Sequence, residues 1–506
     1  MKLLFCIIAF LLILATSKRI TMRNGRFYDH LNRDIVFRGV NVVQKNPPYY
    51  PDYKTKQWSA SMSLNEHDFL FMQQQGITVI RLGIIWSGVE PSPGHIDYKY
   101  LDNIKNIVDL AGNYGIYSII DLHQDLLTDQ MCGEGCKWLA PFVNVNVTSF
   151  PEPRFPRFER NDDGLIPKEI CLKHMFGDYY MSFAQSELWQ ALYDNINNIQ
   201  EHFVNMWTAV VKHLRNCDYT LGYEIINEPF IGDIFNKPHL LKPGAADHEN
   251  LMPLYKKVAR AVYRIDPDAI LFLEPVAADI LPSGFLVDDL PWDRIAYSFH
   301  VYCTVAINDK GIPINDAKCA LQELEAFSIH QNDIKKLGSG QFLTEFGAVW
   351  DDPASLRDME RVMNGADAML VSTAYWSYKS LNDPTTASGY LGAYEGLWYI
   401  DDVQGKYSFQ QCKSDVLFRP HAHAASGNIT SMVTDVRKGH SMIKFTSKGG
   451  DFIFKVGNKI DLLVNSHMAC SVTKFNQFEV ILECPPSNSG EFFIELQWTP
   501  LDCNFG

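Results

Sequence analysis

Short, nearly unbroken apolar runs recur along the first three quarters of the chain, separated by longer stretches in which apolar residues return every three or four positions. The runs are Ile35–Val43, Ile77–Gly83, Ile116–Leu122, Tyr219–Ile226, Ala269–Glu274, Arg294–Val301, Gln341–Phe346 and Leu370–Trp376. Runs of this length, bounded by turn residues, are the signature of strands buried on both faces, as in a parallel sheet. The stretches between them carry helix signals. Ser63-Leu-Asn-Glu66 reads as a capping box with Gly76 as the stop, and Leu101, Ile104, Ile107, Val108 and Ala111 form one stripe. Leu192, Ile196, Ile199, Phe203, Trp207, Val210 and Leu214 form the longest stripe, and Asp352-Pro353 supplies a cap and a first-turn proline. Eight strands alternating with helices predict an α/β fold, a (β/α)8 TIM barrel, rather than a doubly wound sheet.

Two departures from this rhythm divide the chain. Between His123 and Ser186 lies an inserted loop of about 124–185, far beyond the usual four to six residues. It follows the third strand, which puts it on the rim where barrel enzymes do chemistry, and it is rich in Phe, Tyr, Trp and Met. After about Phe418 the helical period stops. Ser441–Phe445, Phe452–Val456, Phe478–Leu482 and Phe492–Leu496 are strand-like runs, which predict a small C-terminal all-β sandwich over 418–506 behind a barrel over 18–417.

Composition narrows the setting. Lys2, the apolar stretch Leu3–Leu14 and the small residues Ala15-Thr-Ser17 read as a signal peptide over 1–17, which predicts a secreted protein or one of a lysosomal or vesicular lumen. Of eleven cysteines, Cys6 lies in that segment; the remaining ten suit an oxidising compartment, and Cys132-Gly-Glu-Gly-Cys136 is the expected local disulfide. Zinc is the rival use of these cysteines, but no second close Cys or His pair completes a tetrahedral set. Asn146-Val-Thr148 and Asn428-Ile-Thr430 are glycosylation sequons. A formal net charge of −14 argues against a nucleic-acid partner. His421-Ala-His423 reads as a pair of surface histidines.

The candidate chemistry sits at strand ends. Glu228 closes Leu221-Gly-Tyr-Glu-Ile-Ile-Asn-Glu, and Glu345 closes Gln341-Phe-Leu-Thr-Glu. Two carboxylates on one barrel rim are what glycosidic cleavage needs, one to protonate the leaving oxygen and one to attack or to activate water. Around them stand Arg81, suited to hold a carboxylate ionised, His123 and Asp125 after the third strand, Asn227, His300 and Tyr302 after the sixth, and Trp376 after the eighth. No Gly-x-Ser-x-Gly elbow, phosphate-binding glycine loop or His-Glu-x-x-His motif competes with this set. The chemistry it suggests requires neither a metal nor an organic cofactor.

At these residues the chain resembles glycoside hydrolase family five of the retaining barrel clan. The matching pieces are Phe37-Arg-Gly-Val-Asn41, Arg81, His123, Asn227-Glu228-Pro229, His300-Val-Tyr302, Thr344-Glu345-Phe346-Gly347 and Trp376, in the family's order. Within it the chain is most similar to the endoglycoceramidases, which release an intact oligosaccharide from ceramide. The resemblance implies Glu228 as acid/base, Glu345 as nucleophile, His123, Asp125, Asn227, Tyr302 and Trp376 as sugar contacts, and Lys45 as a further glycan contact. It implies a glycosphingolipid substrate; for a separate reason the aromatic and aliphatic residues of the long excursion offer an apolar rim for acyl-type chains and for transient membrane-surface contact. A β-glucosidase, glucosylceramidase or glucanase of the same family is the alternative enzyme, and a non-catalytic glycolipid-binding protein the alternative of another class.

Overall fold

The computed structural model describes residues 18–506 apart from 277–283, 286–291, 309–310, 382, 384, 386–393, 402–405, 448, 467–468 and 487–489. The expected signal segment, 1–17, lies outside the described residues. Eight parallel strands close a barrel: Arg38–Val42, Val79–Ile84, Tyr117–Leu122, Thr220–Glu224, Leu271–Leu273, Ile295–Val301, Gly340–Phe346 and Ser372–Tyr375. Each falls within or one residue beyond one of the eight apolar runs. Both faces of these strands are buried, the outer one under the helices, which is why they read as runs rather than as alternation.

The helices follow their caps, with two differences. The first, Glu66–Gln75, is capped by Asn65 rather than Ser63: the Asn65 side chain accepts the His67 N–H, and Asp68 returns a bond to the Asn65 N–H. Ser63 instead donates to Asp68 at 3.1 Å. The long stripe is split into Phe183–Tyr193 and Ile199–Leu214, because Asn195, Asn197 and Asn198 adopt left-handed backbone between them. Asparagine tolerates that conformation better than most residues. Asp352 caps Pro353–Met369 as its sequence indicates.

Behind the barrel, two antiparallel sheets enclose a core of Phe445, Phe452, Phe454, Leu482, Phe492 and Ile494. One has four strands, all after residue 427. The other has seven, and three of these, Thr21–Arg23, Arg26–Tyr28 and Asp34–Ile35, come from the N-terminus. Asp34–Ile35 pairs with Ala424 and Ala425. Residues 21–35, grouped with the barrel by the pattern, are thus strands of the second module. Phe27 on this hairpin also packs on Phe37, Phe272 and Phe342 at centroid distances of 5.8, 6.3 and 6.3 Å, plugging the N-terminal end of the barrel.

Cysteine pairing and histidine burial also differ from what the sequence predicts. Cys132 bonds Cys171, not Cys136, and Cys136 is a buried free thiol. The Gly133–Gly135 loop closes by a backbone pairing of Asp125 with Glu134, which leaves Cys132 facing the far end of the excursion. Cys303–Cys319, Cys412–Cys503 and Cys470–Cys484 complete four disulfides, and Cys217 is a second free thiol. The histidines expected at the surface are drawn inward: His421 is buried beside the Arg419 carbonyl, and His423, half-buried, meets that of Val36. Burial holds both rings neutral, with His423 lowered to about 3. Among the described residues no helix is long and apolar enough to cross a membrane.

Candidate active site

Every residue singled out at a strand end lies at the C-terminal mouth of the barrel. At its centre is Arg81, fully buried in the second strand. Its Nε donates to Glu224, Nη1 to Asn41 Oδ1 (3.0 Å) and to Glu345 Oε1, and Nη2 to Asn227 Oδ1 (2.8 Å), with Asp121 Oδ1 3.1 Å away. Only a guanidinium offers so many donors in one plane. Burial opposes its charge, but Asp121, Glu224 and Glu345 more than offset that and fix the proton.

Glu345 is 5 % exposed, and its second oxygen accepts from the Tyr302 hydroxyl at 3.0 Å. Burial alone would raise its pKa; His300, Arg81 and the Tyr302 bond reverse this and bring it down to about 2. Two residues on, Gly347 has φ +96°, and a Cβ there would meet the Tyr375 ring at 2.1 Å. The strand therefore turns away immediately behind the carboxylate, as only glycine permits.

Glu228 has the opposite environment. Its carboxyl is raised by burial, with His300 acting against the rise and Glu345 adding to it. His300 Nδ1 lies 2.7 Å from Glu228 Oε1 and 3.5 Å from Glu345 Oε2. One oxygen of each glutamate and a ring nitrogen of His300 all lie within 4.8 Å of one another. That spacing suits attack by one carboxylate, the retaining arrangement of about 5–5.5 Å, rather than the inverting one of about 6.5–9.5 Å. Burial would lower His300, but Glu274, Glu345 and Glu228 raise it to about 10, so the imidazole is a cation between acids.

The other residues line the same mouth. His123 donates to or accepts from Asp121 Oδ2 at 2.8 Å and stacks on Trp376, centroids 5.2 Å apart. Burial lowers His123 to about 3, so its ring is neutral. Trp376 is fixed by Glu395 through its indole N–H (3.1 Å). Asn227 gives its amide N–H to the Gln124 carbonyl, and Gln124 in turn donates to the carbonyls of Asn227 and Glu228. Lys45 is buried, with Nζ at 2.6 Å from Asp125, 2.7 Å from Thr385, 3.1 Å from Asp383 and 3.3 Å from Glu134, and 5.1 Å from the Trp376 ring centroid.

Glu228–His300–Glu345 and His123–Asp125–Glu134 each gather three donor atoms at metal-ligand spacing. The first set already contains the imidazolium and the second surrounds the Lys45 ammonium, so a divalent ion would meet a charge of its own sign. The aromatic excursion mostly packs. Phe150 and Tyr179 are buried, and Phe155 and Phe158 stack around His174 and Tyr179. Met175 and Phe183 stay exposed, Phe183 against Phe235 at 4.6 Å.

Six buried carboxylates of the site were not among the candidates: Asp121, Glu224, Glu274, Glu134, Asp383 and Glu395. Glu224 sits inside an apolar run, where an acid must have a cation. Glu274 closes the fifth run, the same feature that marked Glu228 and Glu345. Glu134 and Asp383 lie in segments without a periodic signal.

A parallel eight-stranded barrel whose rim joins one ionised and one proton-holding glutamate is the architecture of the barrel glycoside hydrolases. The cellulase model, glycosyl hydrolase family 5, matches residues 39–382, and the chain belongs to that family. It is 32 % identical over 357 residues to an endoglycoceramidase of Cyanea nozakii, covering 70 % of this chain and 67 % of the relative. An endoglycoceramidase of Hydra vulgaris is 30 % identical over 417 residues, 81 % and 74 % of the two chains. Endo-glycoceramidase II from Rhodococcus sp., solved in a complex with ganglioside GM3, shares the fold at TM-score 0.71 and 19 % identity, over 92 % of this chain and 98 % of that one.

Proposed function

We propose that this chain is a retaining endo-β-glycosidase that hydrolyses the bond between the oligosaccharide and the ceramide of glycosphingolipids. The observation that carries the chemistry is the split between two neighbouring glutamates, Glu345 held ionised by Arg81 and Tyr302 and Glu228 held towards its neutral form by burial. Pairs of carboxyls pushed apart in this way define their own roles. The substrate class is supported by the two endoglycoceramidase relatives at 30 % identity or more.

In the first step Glu345 attacks the anomeric carbon, the bond to the ceramide oxygen breaks, and Glu228 gives that oxygen its proton. A covalent glycosyl ester on Glu345 results. In the second step Glu228, now ionised, takes a proton from water; the water oxygen bonds the anomeric carbon and Glu345 departs. Asn227 has a second amide hydrogen beyond the one given to Gln124, and this is the donor assigned in the proposal to the sugar 2-hydroxyl. The stacked His123–Trp376 pair, with Lys45 and Asp125, forms the wall for the sugar.

The enzyme works at a lipid surface. Beyond Tyr302, Val305 and Ile314 are 60 % and 67 % exposed, and Leu321 and Leu324 on the following helix, Asp316–Leu337, are 66 % and 67 % exposed. The Cys303–Cys319 bond and the Thr304–Gln322 contacts staple this apolar set to the rim beside the site. Secretion through the 1–17 leader agrees with the four disulfides and the exposed sequons at Asn146 and Asn428.

Product analysis tests this reading. A purified ganglioside, presented in vesicles and in detergent, is expected to yield whole oligosaccharide of retained β configuration plus ceramide in both. Glu345→Gln is expected to lower kcat/KM by at least about 10⁴-fold in a folded protein. Stepwise loss of single sugars, an inverted product, or an active Glu345→Gln variant would refute it; turnover in detergent but not in vesicles would refute the surface contact.

A further inference from the structure

Glu228 does not stand on its own backbone. Its φ is +41°, left-handed for a residue with a Cβ, a strained conformation that persists only when its surroundings hold it. Its N–H is received by a side chain, Glu274 Oε2 at 2.8 Å. Glu274 closes the fifth strand, is 3 % exposed, and is anchored by the Tyr255 hydroxyl, which donates to its carbonyl at 2.7 Å. Its other oxygen, Oε1, lies 3.4 Å from His300 Nε2, while the opposite nitrogen of that ring meets Glu228 Oε1. One carboxyl therefore touches Glu228 twice, once through the peptide and once through the imidazole.

We infer that Glu274 is a positioning residue for the acid/base, fixing the peptide of Glu228 and the ring against which the Glu228 carboxyl rests. The inference rests on the proposed function and adds to it a group that never meets the sugar. The charged and titratable groups around Glu274 are Glu224 from the fourth strand, Glu228 beyond it, His300 from the sixth, Arg81 from the second and Tyr255 from the helix Met252–Ile265. None of the others reaches the Glu228 N–H. Without Glu274 that half-buried donor loses its acceptor, and the left-handed turn loses its hold.

The role predicts a dependence on the leaving group that general damage to the barrel does not. Departure of an alkoxide such as ceramide needs the proton from Glu228; departure of dinitrophenolate does not. Steady-state kinetics on lactosylceramide and on 2,4-dinitrophenyl β-lactoside separate the two, because kcat/KM reports the first glycosyl transfer only. Glu274→Ala is expected to lower kcat/KM on lactosylceramide by about 100-fold, the low end for loss of general acid catalysis, chiefly through kcat. On the dinitrophenyl glycoside the loss is expected to stay within about 3-fold, since no proton is required there. Glu274→Gln keeps an oxygen for the Glu228 N–H and is expected to recover most of the lactosylceramide activity. If the alanine variant does not fold, the glutamine variant carries the comparison, with any loss confined to lactosylceramide. Equal losses on both glycosides, no loss on lactosylceramide, or a glutamine variant no better than alanine would overturn the inference. Failure of the unsubstituted protein to turn over either glycoside would strike down the proposed function and this role with it.

Discussion

The charge state of the site is set by two cations with different tasks. Arg81 is permanent: its fork faces Asn41, Asn227 and three carboxylates. His300 is adjustable, since its cationic form exists because Glu274, Glu345 and Glu228 surround it. Both glutamates feel that charge. His300 lowers Glu345 and opposes the rise of Glu228, so removing it raises both. On the proposed mechanism the acid limb of kcat/KM reports ionisation of Glu345, and the alkaline limb loss of the Glu228 proton. For His300→Phe the whole bell is therefore expected to move to higher pH, with a lower maximum. A pH–rate profile on lactosylceramide, whose leaving group needs the Glu228 proton, measures this. Limbs that stay in place would mean that the imidazole is neutral in the working enzyme.

At the scale of elements, what was legible in the sequence follows from what each element needs. The eight barrel strands could be read because a strand covered on both faces tolerates little but apolar residues. Their polar ends could be read because a charge at the close of such a run has to face the rim. Glu274 satisfied that criterion and was missed; its role depends on the left-handed turn at Glu228, which no pattern of side chains announces. The break at 194–198 was hidden under an intact helical stripe, since three asparagines change the backbone without interrupting the apolar period. The disulfide of the excursion is not legible in the sequence because pairing depends on how the chain folds back across the separation of 39 from Cys132 to Cys171, not on nearness in sequence. That bond closes a long loop with little regular structure, and disulfides of this kind contribute about 2–4 kcal/mol. Cys132→Ser with Cys171→Ser is expected to open the loop to protease between 133 and 170 before the barrel melts. Peptide mapping of the unreduced protein is expected to find Cys132 joined to Cys171 and Cys136 free. A Cys132–Cys136 peptide, or unchanged protease resistance in the double variant, would contradict this account.

At the scale of the whole molecule, the sandwich and the barrel are joined too closely to be an enzyme and an appendage. The strands 21–35 do two things at once: Phe27 seals the end of the barrel opposite the site, and Asp34–Ile35 extends the sheet to which Ala424 and Ala425 belong. Buried charges cross the same boundary. Arg38 of the first barrel strand and Arg419 both meet Asp367, and Lys459 pairs with Asp415 in a contact nearly closed to solvent. Cys412 is bonded to Cys503 near the C-terminus. Cutting the chain after residue 417 would leave Asp367 with one cation instead of two, an exposed strand edge at Asp34–Ile35 and a free Cys412. Unpaired edges of this kind invite aggregation, and a buried charge that loses its partner costs about 3–5 kcal/mol. A protein of residues 18–417 is therefore expected to aggregate, or to melt at least about 10 °C below the full chain, even though every residue of the proposed active site is present in it. Thermal unfolding of the two forms, with activity on an aryl lactoside measured beside it, decides the matter. A truncated barrel with the melting temperature and kcat/KM of the full chain would show that the sandwich is dispensable and that the hairpin holds the barrel closed without it.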